Sequence, residues 1–294
     1  MRYHITHQTI YSYSQAVFLH PHILRLQPRC DHQQKLKHFS LEIFPPTSQL
    51  CNFTDFDGNS LGKLTFEQPT HQLQITTRSC IETQPTNPFN FLLEPWAVTF
   101  PLDYPHSIFL QLQPYLQPYF DRFDPEIRQL GRNLSYDTKG NVVAFLMALN
   151  QYIYKNYEYC IRETGDPWPG GVTLNQKQGS CRDFAVLFME TCRSVGLGTR
   201  FVSGYEEGDS NQAQRELHAW VEVYLPGAGW RGFDPTQGLA VSDRHIAVVT
   251  SAFPRQTAPV SGHFTTTNHA ISTAVNMTLE THICITKEEA KVEN

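Results

Sequence analysis

The sequence predicts an α+β protein in which a small β-sandwich precedes a helix packed on an antiparallel sheet. Two periodicities support this prediction. Apolar residues alternate with a period of two through most of residues 1–85, and again from Leu217 to Leu225, as expected for strands with one buried face. Between these regions, and again after Ser180, apolar residues recur at the spacing of helices.

Composition places the chain among ordinary globular proteins. It has 294 residues, of which 40% are hydrophobic and 17% charged, and a net charge of −5. No run of Lys or Arg predicts a nucleic-acid or membrane partner. The start lacks the apolar core of a signal peptide, and the seven cysteines are odd in number and far apart. We therefore expect a cytoplasmic protein whose cysteines are reduced.

Residues 1–85 are predicted to form the β-domain. The strand signal begins with the alternation from Tyr3 to Tyr11, and further candidate strands are 41–44, 51–56, 61–66 and 72–83. Asp57-Gly58-Asn59 stands between two of these runs, which predicts a tight hairpin. The overlapping pattern Asp55-x-Asp57-x-Asn59 lacks the glycine and glutamate of a calcium loop, so we predict no metal there.

Residues 86–140 are predicted to be a linker and a helical segment. Five prolines between Pro85 and Pro105 argue against regular structure at its start. The next unit, 141–250, opens with helical spacing over 141–154, and its Gly165–Gly171 segment is a loop by composition. The last unit, 251–294, is predicted to be a loop followed by a strand that includes Ile271, Thr273 and Leu279.

The centre of the third unit is Gly179-Ser180-Cys181-Arg182-Asp183. Ser180 is a good N-cap, and Asp183 stands three residues later, as in a capping box. The helical spacing that follows ends at Gly196. Cys181 is therefore predicted in the first turn of a helix, where the N–H groups and the helix dipole favour a thiolate.

A nucleophilic thiol needs a base, and the base needs a group that orients it. His218 is the best candidate base because it stands on the polar face of the strand 217–225. Asp234, at the end of the next strand, is the best candidate orienting group. Tyr159, Trp168 and Trp220 are candidates for the second oxyanion donor or for substrate binding.

The hairpin between His218 and Asp234 raises a geometric difficulty. A four-residue turn at 226–229 pairs Leu225 with Trp230 and leaves an offset of three residues, roughly 10 Å, between the two side chains. We therefore predict a bulge or a longer loop in this hairpin. A lone cysteine, histidine or tryptophan is more often a packing residue, so the catalytic hypothesis depends on the conjunction of the motifs.

These motifs resemble the core of the transglutaminase-like superfamily, a papain-like unit whose Cys, His and Asp occur in this order. The matching segments are Gly179–Ala185, Leu217–Tyr224 and Gly229–Thr236. In addition, Tyr11-Ser12-Tyr13 and the segment His20–Arg29 resemble the N-terminal region of bacterial transglutaminase-like proteins. His20-Pro21-His22 within it has no nearby carboxylate or cysteine pattern, so we predict no metal there either.

By this resemblance the catalytic roles fall on Cys181, His218 and Asp234. Active members share an acyl-enzyme step, and no cofactor is expected. Water is the default acceptor, which predicts a cysteine peptidase or amidase acting on a peptide or protein. The alternatives are a transglutaminase and an inactive binding module. Arg182 stands where the family more often has Gln, and a cation beside Cys181 would favour the thiolate.

Overall fold

A sandwich of two antiparallel sheets forms the N-terminal region. The structure is a computed structural model that describes residues 1–85, 87–162, 164–208, 215–266 and 275–288. The first six strands are β1 (Arg2–Leu19), β2 (His22–Leu24), β3 (Gln34–Phe44), β4 (Gln49–Thr54), β5 (Ser60–Thr65) and β6 (Thr70–Thr83). One sheet contains β1, β6 and β3, and the other contains β2, β5 and β4. Buried side chains of both sheets, such as Val17 and Leu64, pack in one cluster.

The hairpin predicted at Asp57-Gly58-Asn59 is confirmed between β4 and β5. Its loop is held by Asp55, whose Oδ1 accepts the backbone N–H groups of Asp57 at 3.0 Å and Asn59 at 2.8 Å. The Asp55 carboxylate thus binds its own loop, as short polar side chains commonly do in turns.

The segment after the sandwich is helical. After a 3₁₀ turn at Pro95–Ala97 come α1 (His106–Leu116), α2 (Pro125–Asp137) and α3 (Val142–Asn156). The helix predicted over 141–154 is confirmed, and Asn141 caps it by accepting the Ala144 N–H at 2.8 Å.

The chain then passes through short elements into the helix that begins at Cys181. These elements are β7 (Glu158–Tyr159), α4 (Gly170–Gln176), β8 (Gln178–Gly179) and α5 (Cys181–Ser194). The predicted loop 165–171 is wrong at its end, because Gly170 and Gly171 begin α4. A Cβ at Gly170 would lie 2.4 Å from Glu190 Oε2, and one at Gly171 2.2 Å from Asp124 Oδ2. These glycines therefore allow close helix packing rather than marking a turn.

The second half of the chain forms a five-stranded antiparallel sheet. Its strands are β9 (Thr199–Glu206), β10 (His218–Leu225), β11 (Gly229–Asp234), β12 (Leu239–Ala240) and β13 (His245–Ser251), in the spatial order β12-β11-β10-β9-β13. One face carries Ala219, Val221 and Val223, which pack with α3 and α5 in the largest cluster of buried side chains among the described residues. Cys192 lies in that cluster, as predicted for a core residue.

The β-domain packs on the other face of this sheet and on its edge. Glu222 of β10 receives two bonds from the Arg29 guanidinium, at 2.7 and 3.1 Å, and one from Arg200 at 2.7 Å. At the edge strand β13, the Gln34 side-chain amide bonds both backbone groups of Ala247. Asn59 does the same for Thr250. These amides satisfy backbone groups that an edge strand otherwise leaves unpaired.

The C-terminal segment returns to the β-domain. A 3₁₀ turn at Pro254–Thr257 precedes β14 (Val260–Ser261), β15 (Phe264–Thr266) and β16 (Met277–Glu288). β14 pairs with β2, whereas β15 and β16 both pair with β1. The predicted strand positions Ile271 and Thr273 lie outside the described residues. None of the described helices is long and apolar enough to cross a membrane.

Candidate active site

Cys181 is the first residue of α5, as the capping pattern predicts. The Asp183 side chain stabilises this helix start, because its Oδ2 accepts the Ser180 backbone N–H at 2.9 Å and the Ser180 hydroxyl at 2.7 Å. The Cys181 side chain is half-buried. The first N–H groups of a helix have no partner within it, so the Cys181 N–H points to where an anion can bind.

Asp183 also ties the preceding loop to the helix. Its Oδ1 accepts Arg162 Nη1 at 2.6 Å and the Trp168 backbone N–H at 2.7 Å. Burial alone would raise the pKa of Asp183, but the bonds from Trp168, Arg162 and Ser180 hold it below its ordinary value. The loop that carries Trp168 is therefore fixed against the start of α5.

His218 and Asp234 meet directly: His218 Nε2 lies 2.7 Å from Asp234 Oδ2. The prediction of a bulge or a longer loop in their hairpin is wrong. Pairing runs without a register shift from Val221–Phe233 to Leu225–Gly229, across a loop of three residues. The turn is one residue shorter than the sequence suggested, so the offset between the two side chains falls to two residues. Diagonal neighbours at this offset are within reach of a long side chain.

The Asp234 carboxylate is fully buried and bonded at both oxygens. Oδ1 accepts the backbone N–H groups of Thr236 at 2.9 Å and Gln237 at 3.3 Å. Oδ2 accepts His218 Nε2 and also His245 Nε2, the latter at 3.0 Å. Burial would raise the pKa of Asp234, but the two imidazoles hold it far below its ordinary value. Asp234 is therefore a permanent anion.

His218 lies between this anion and Cys181. Its side chain is only 13% exposed. Burial would lower the pKa of His218, but the charge and hydrogen bond of Asp234, followed by those of Cys181, raise it well above its ordinary value. Because Asp234 engages Nε2, the other ring nitrogen is the one left for the thiol. The arrangement can hold a proton between a thiol and an imidazole.

Two family models match the chain. The Bacterial transglutaminase-like N-terminal region matches residues 3–82, and the Transglutaminase-like superfamily matches residues 128–235. Residues 128–235 belong to the transglutaminase-like superfamily. The predicted family and fold class are thereby confirmed. The second match contains Cys181, His218 and Asp234, and the first covers most of the β-domain.

The chain is also similar to curated proteins and to a solved structure. An uncharacterized protein of Mycobacterium tuberculosis is 29% identical over 264 residues, which are 84% of this chain and 82% of that protein. A protein-glutamine gamma-glutamyltransferase of Pseudomonas aeruginosa is 29% identical over 101 residues, 31% of this chain and 15% of that protein. A solved structure from Cytophaga hutchinsonii, described as a candidate cysteine protease, covers 99% of this chain with a TM-score of 0.72 and 20% identity, and 92% of its own chain is covered. At that identity the similarity shows the fold.

The other three predicted residues of this transglutaminase-like site lie in different surroundings. Tyr159 is half-exposed, and burial and the nearby Cys181 raise the pKa of its hydroxyl. The Trp168 backbone N–H is bonded to Asp183, and the Arg162 guanidinium lies 4.1 Å from the centre of its ring. Trp220 is buried, with its ring centre 6.2 Å from that of His218. Of these three residues, Tyr159 is the one whose side chain is influenced by the charge of Cys181.

His245 is a member of the site that the sequence did not predict. Its ring reaches the same Asp234 oxygen as His218 does. One signal was present: a lone histidine stands directly before the apolar run Ile246–Val249. The strand β13 lacks alternation because it is buried on both faces, so its histidine had no assigned position.

His218, Asp234 and His245 are residue types that can bind a metal ion, and they lie together. One donor atom each from His218, Asp234 and His245 lies within 4.8 Å of the others. The nitrogen–oxygen distances of 2.7 and 3.0 Å are those of hydrogen bonds. They are shorter than the roughly 3.3 Å that separates two ligand atoms of a tetrahedral zinc with bonds of about 2.0–2.1 Å. The cluster is therefore a hydrogen-bonded network. His20 and His22 make separate contacts, a stack on His263 and a bond to a backbone carbonyl.

Proposed function

We propose that this protein transfers the acyl group of an amide to water through Cys181, and is thus a cysteine peptidase or amidase. His218 is the base and acid of the proposed mechanism, and Asp234 orients it. The observation that carries the proposal is the His218 ring, held by Asp234 at 2.7 Å on one nitrogen and in contact with Cys181. A peptide or protein substrate is part of this proposal, and no nucleic acid, membrane or cofactor enters it. A cytoplasmic location stays a prediction.

The chemistry follows from these positions. The Cys181 thiolate attacks the amide carbonyl, and a carbon–sulfur bond forms. The His218 imidazolium protonates the leaving nitrogen, the carbon–nitrogen bond breaks, and a thioester remains. Water then gives a proton to His218 while its oxygen adds to the thioester carbonyl. The carbon–sulfur bond breaks, the acid leaves, and the thiolate and imidazolium are restored.

The oxyanion of both steps needs two donors. The Cys181 N–H at the start of α5 is the first proposed donor. Tyr159 is the second proposed donor, since it has a hydroxyl and lies near enough to Cys181 for the charge of the thiolate to raise its pKa. The Trp168 backbone N–H is already bonded to Asp183, and Trp220 is buried, which disfavours both.

An amine acceptor is the second candidate. The observation that favours it is the local match to the gamma-glutamyltransferase of Pseudomonas aeruginosa. The two functions share the thioester and differ in the molecule that attacks it. A protein with no thioester at all would be the third case, a binding module on the same fold.

The decisive test is the rate at which iodoacetamide alkylates Cys181 from about pH 4 to about pH 9, compared between the wild type and His218→Ala by peptide mass spectrometry. We expect fast alkylation of Cys181 below pH ~7 in the wild type and its loss in the variant. Cys192, which is fully buried, is the internal control. A Cys181 that alkylates like an ordinary thiol near pH ~8.5 in both proteins would overturn the proposal.

Water and amine acceptors are then separated with a glutamine-containing peptide library and a fluorescent primary amine. Chain cleavage or ammonia release without incorporation of the amine indicates hydrolysis. Incorporation that competes with hydrolysis indicates a transglutaminase. Cys181→Ser is the matched control for both readouts, because it keeps the packing and removes the thiol.

A further inference from the structure

His245 is a buried imidazole that the proposed mechanism has not used. Its side chain is 5% exposed, and its Nε2 lies 3.0 Å from Asp234 Oδ2, the oxygen that also bonds His218. An ionised carboxylate only accepts hydrogen bonds, so both histidines donate from Nε2. His245 Nδ1 has no hydrogen-bond partner among the described residues. Asp234 is therefore the hydrogen-bond partner of the His245 ring.

The surroundings of His245 hold its ring in one plane. It begins β13, where its backbone N–H donates to the Ser242 carbonyl at 3.1 Å. The Trp220 ring packs edge-on against it, with the ring centres 5.3 Å apart. Trp220 in turn lies over Gly204, where a Cβ would approach the indole to 2.7 Å. The glycine thus makes room for the tryptophan that supports both imidazoles.

We propose that His245 is a positioning residue, which holds Asp234 Oδ2 so that the carboxylate aims His218 at Cys181. This inference rests on the proposed function. Two backbone N–H groups fix the other oxygen, so the carboxylate is held at both ends. Without His245, the oxygen that orients His218 would keep only His218 itself as a partner among the described side chains.

Other charged groups lie near this network on the far side of His245. Arg231 and Asp243 line a small cavity together with His245, where β11 passes the segment between β12 and β13. The groups that act on the Asp234 carboxylate itself are the two imidazoles. A substitution of His245 should therefore alter the position of the Asp234 carboxylate first and, through it, that of the His218 ring.

The test compares the pH profile of Cys181 alkylation in wild type, His245→Phe and His245→Gln. Phenylalanine keeps the ring shape and removes the donor, whereas glutamine keeps an N–H donor. Without this donor the Asp234 carboxylate can turn and holds His218 less firmly, which weakens the thiolate–imidazolium pair with Cys181. We therefore expect the acid limb of the His245→Phe profile to move up by about one pH unit, with alkylation at pH ~5 slowed about 10-fold. His245→Gln should lie within about 3-fold of the wild type.

His7→Phe is the matched control, because His7 is also a buried imidazole but lies in the β-domain. Its profile should match that of the wild type. A wild-type profile in His245→Phe would overturn the inference. So would a His245→Gln protein as slow as His245→Phe, since packing alone would then explain the loss. Circular dichroism establishes that each variant is folded.

A second measurement separates this inference from the proposed function. In protein labelled with ¹⁵N-histidine, solvent exchange of the His218 Nε2–H proton reports how firmly Asp234 holds the ring, whether or not Cys181 is reactive. We expect His245→Phe to speed this exchange about 10-fold and His245→Gln to preserve the wild-type rate. An ordinary Cys181 thiol in the wild type would refute the proposed function alone. Unchanged exchange in His245→Phe would refute the role of His245.

Discussion

Asp183 and Asp234 invite comparison because both are fully buried and each accepts four hydrogen bonds from described residues. Asp183 binds Arg162, a serine and backbone N–H groups near the start of α5. Asp234 binds two backbone N–H groups and two imidazoles at the end of β11. Both have pKa values below the ordinary range. They differ in whether their partners can release a proton.

This difference suits the two carboxylates to different roles. A guanidinium does not lose its proton in proteins, so Asp183 holds a fixed structure under Cys181. An imidazole can give up a proton, and Asp234 is bonded to two of them, His218 and His245. The same kind of buried anion is thus structural where its partners are permanent donors, and suited to catalysis where they titrate.

The largest effect that we expect is the loss of stability in Asp183→Ala. Asp183→Ala leaves the largely buried Arg162 charge without its carboxylate and removes the acceptor of the Ser180 and Trp168 groups. Breaking a buried pair at one partner costs about 3–5 kcal/mol, so we expect a loss of about 4 kcal/mol in the free energy of unfolding, measured in urea.

Two controls sharpen that prediction. Glu42→Ala removes a carboxylate from the exposed pair with Arg78 and should cost less than about 1 kcal/mol. Asp234→Ala should cost less than Asp183→Ala, since the imidazoles it leaves can become neutral and Arg162 cannot. A greater loss in Asp234→Ala would reverse the assignment of the two carboxylates.

His7 shows what burial does to an imidazole without a carboxylate. Its ring bonds the Tyr205 hydroxyl at 2.9 Å and the Thr9 hydroxyl at 3.1 Å. Burial lowers the pKa of His7 to about 4. His218 is also largely buried, yet its pKa moves in the opposite direction because Asp234 is its partner.

The lowered pKa of His7 predicts an acid-labile β-domain contact. Between pH ~6.5 and pH 4 the unfolded chain binds a proton that folded His7 does not, so stability is fully present above pH ~6.5 and falls with the pH until about pH 4. The contribution is about 3 kcal/mol. Urea unfolding of wild type and His7→Phe at both ends of this range measures it. Equal acid losses in the two proteins would contradict the buried neutral ring.

The next effect is on reactivity. Asp234→Ala removes the charge that raises the pKa of His218, and an opposite charge at this distance moves a pKa by about 1–3 units. We therefore expect Cys181 alkylation at pH ~5 to fall about 100-fold. Alkylation in the folded variant at the wild-type rate would show that Asp234 has no part in forming the ion pair.

The sequence predicted the surroundings of Asp183 better than those of Asp234. Capping follows from residues three apart, so the place of Asp183 beneath Cys181 could be derived. The contact of His218 with Asp234 depends on strand register, and Pro226-Gly227-Ala228-Gly229 permits turns of different lengths. In the structure Leu225 pairs with Gly229 rather than with Trp230, and Gly227 and Gly229 both have a positive φ, of 88° and 74°. A shift of one residue was enough to replace a predicted bulge with a regular hairpin.

The sequence also did not predict which distant strands pair, for a similar reason. β14, β15 and β16 come from the end of the chain and complete sheets begun by its first strands. His245 reaches Asp234 from a strand that pairs with β9 at the opposite end of the sheet from β12. Local periodicity predicts which residues are strands, but it does not predict which strands become neighbours.

Arg182 provides the smallest expected effect and tests whether adjacency in sequence matters. A cation beside Cys181 was expected to favour the thiolate. In the structure, Arg182 Nη2 donates to the carbonyls of Arg162 at 2.6 Å and Thr164 at 2.9 Å. Its guanidinium thus bonds the same loop that Asp183 ties to α5. We expect Arg182→Gln to slow Cys181 alkylation at pH ~5 by less than about 3-fold. A loss as large as that expected for Asp234→Ala would show that Arg182 also controls the reactivity of Cys181. It would contradict the purely structural role that we assign to Asp183 and the loop it holds.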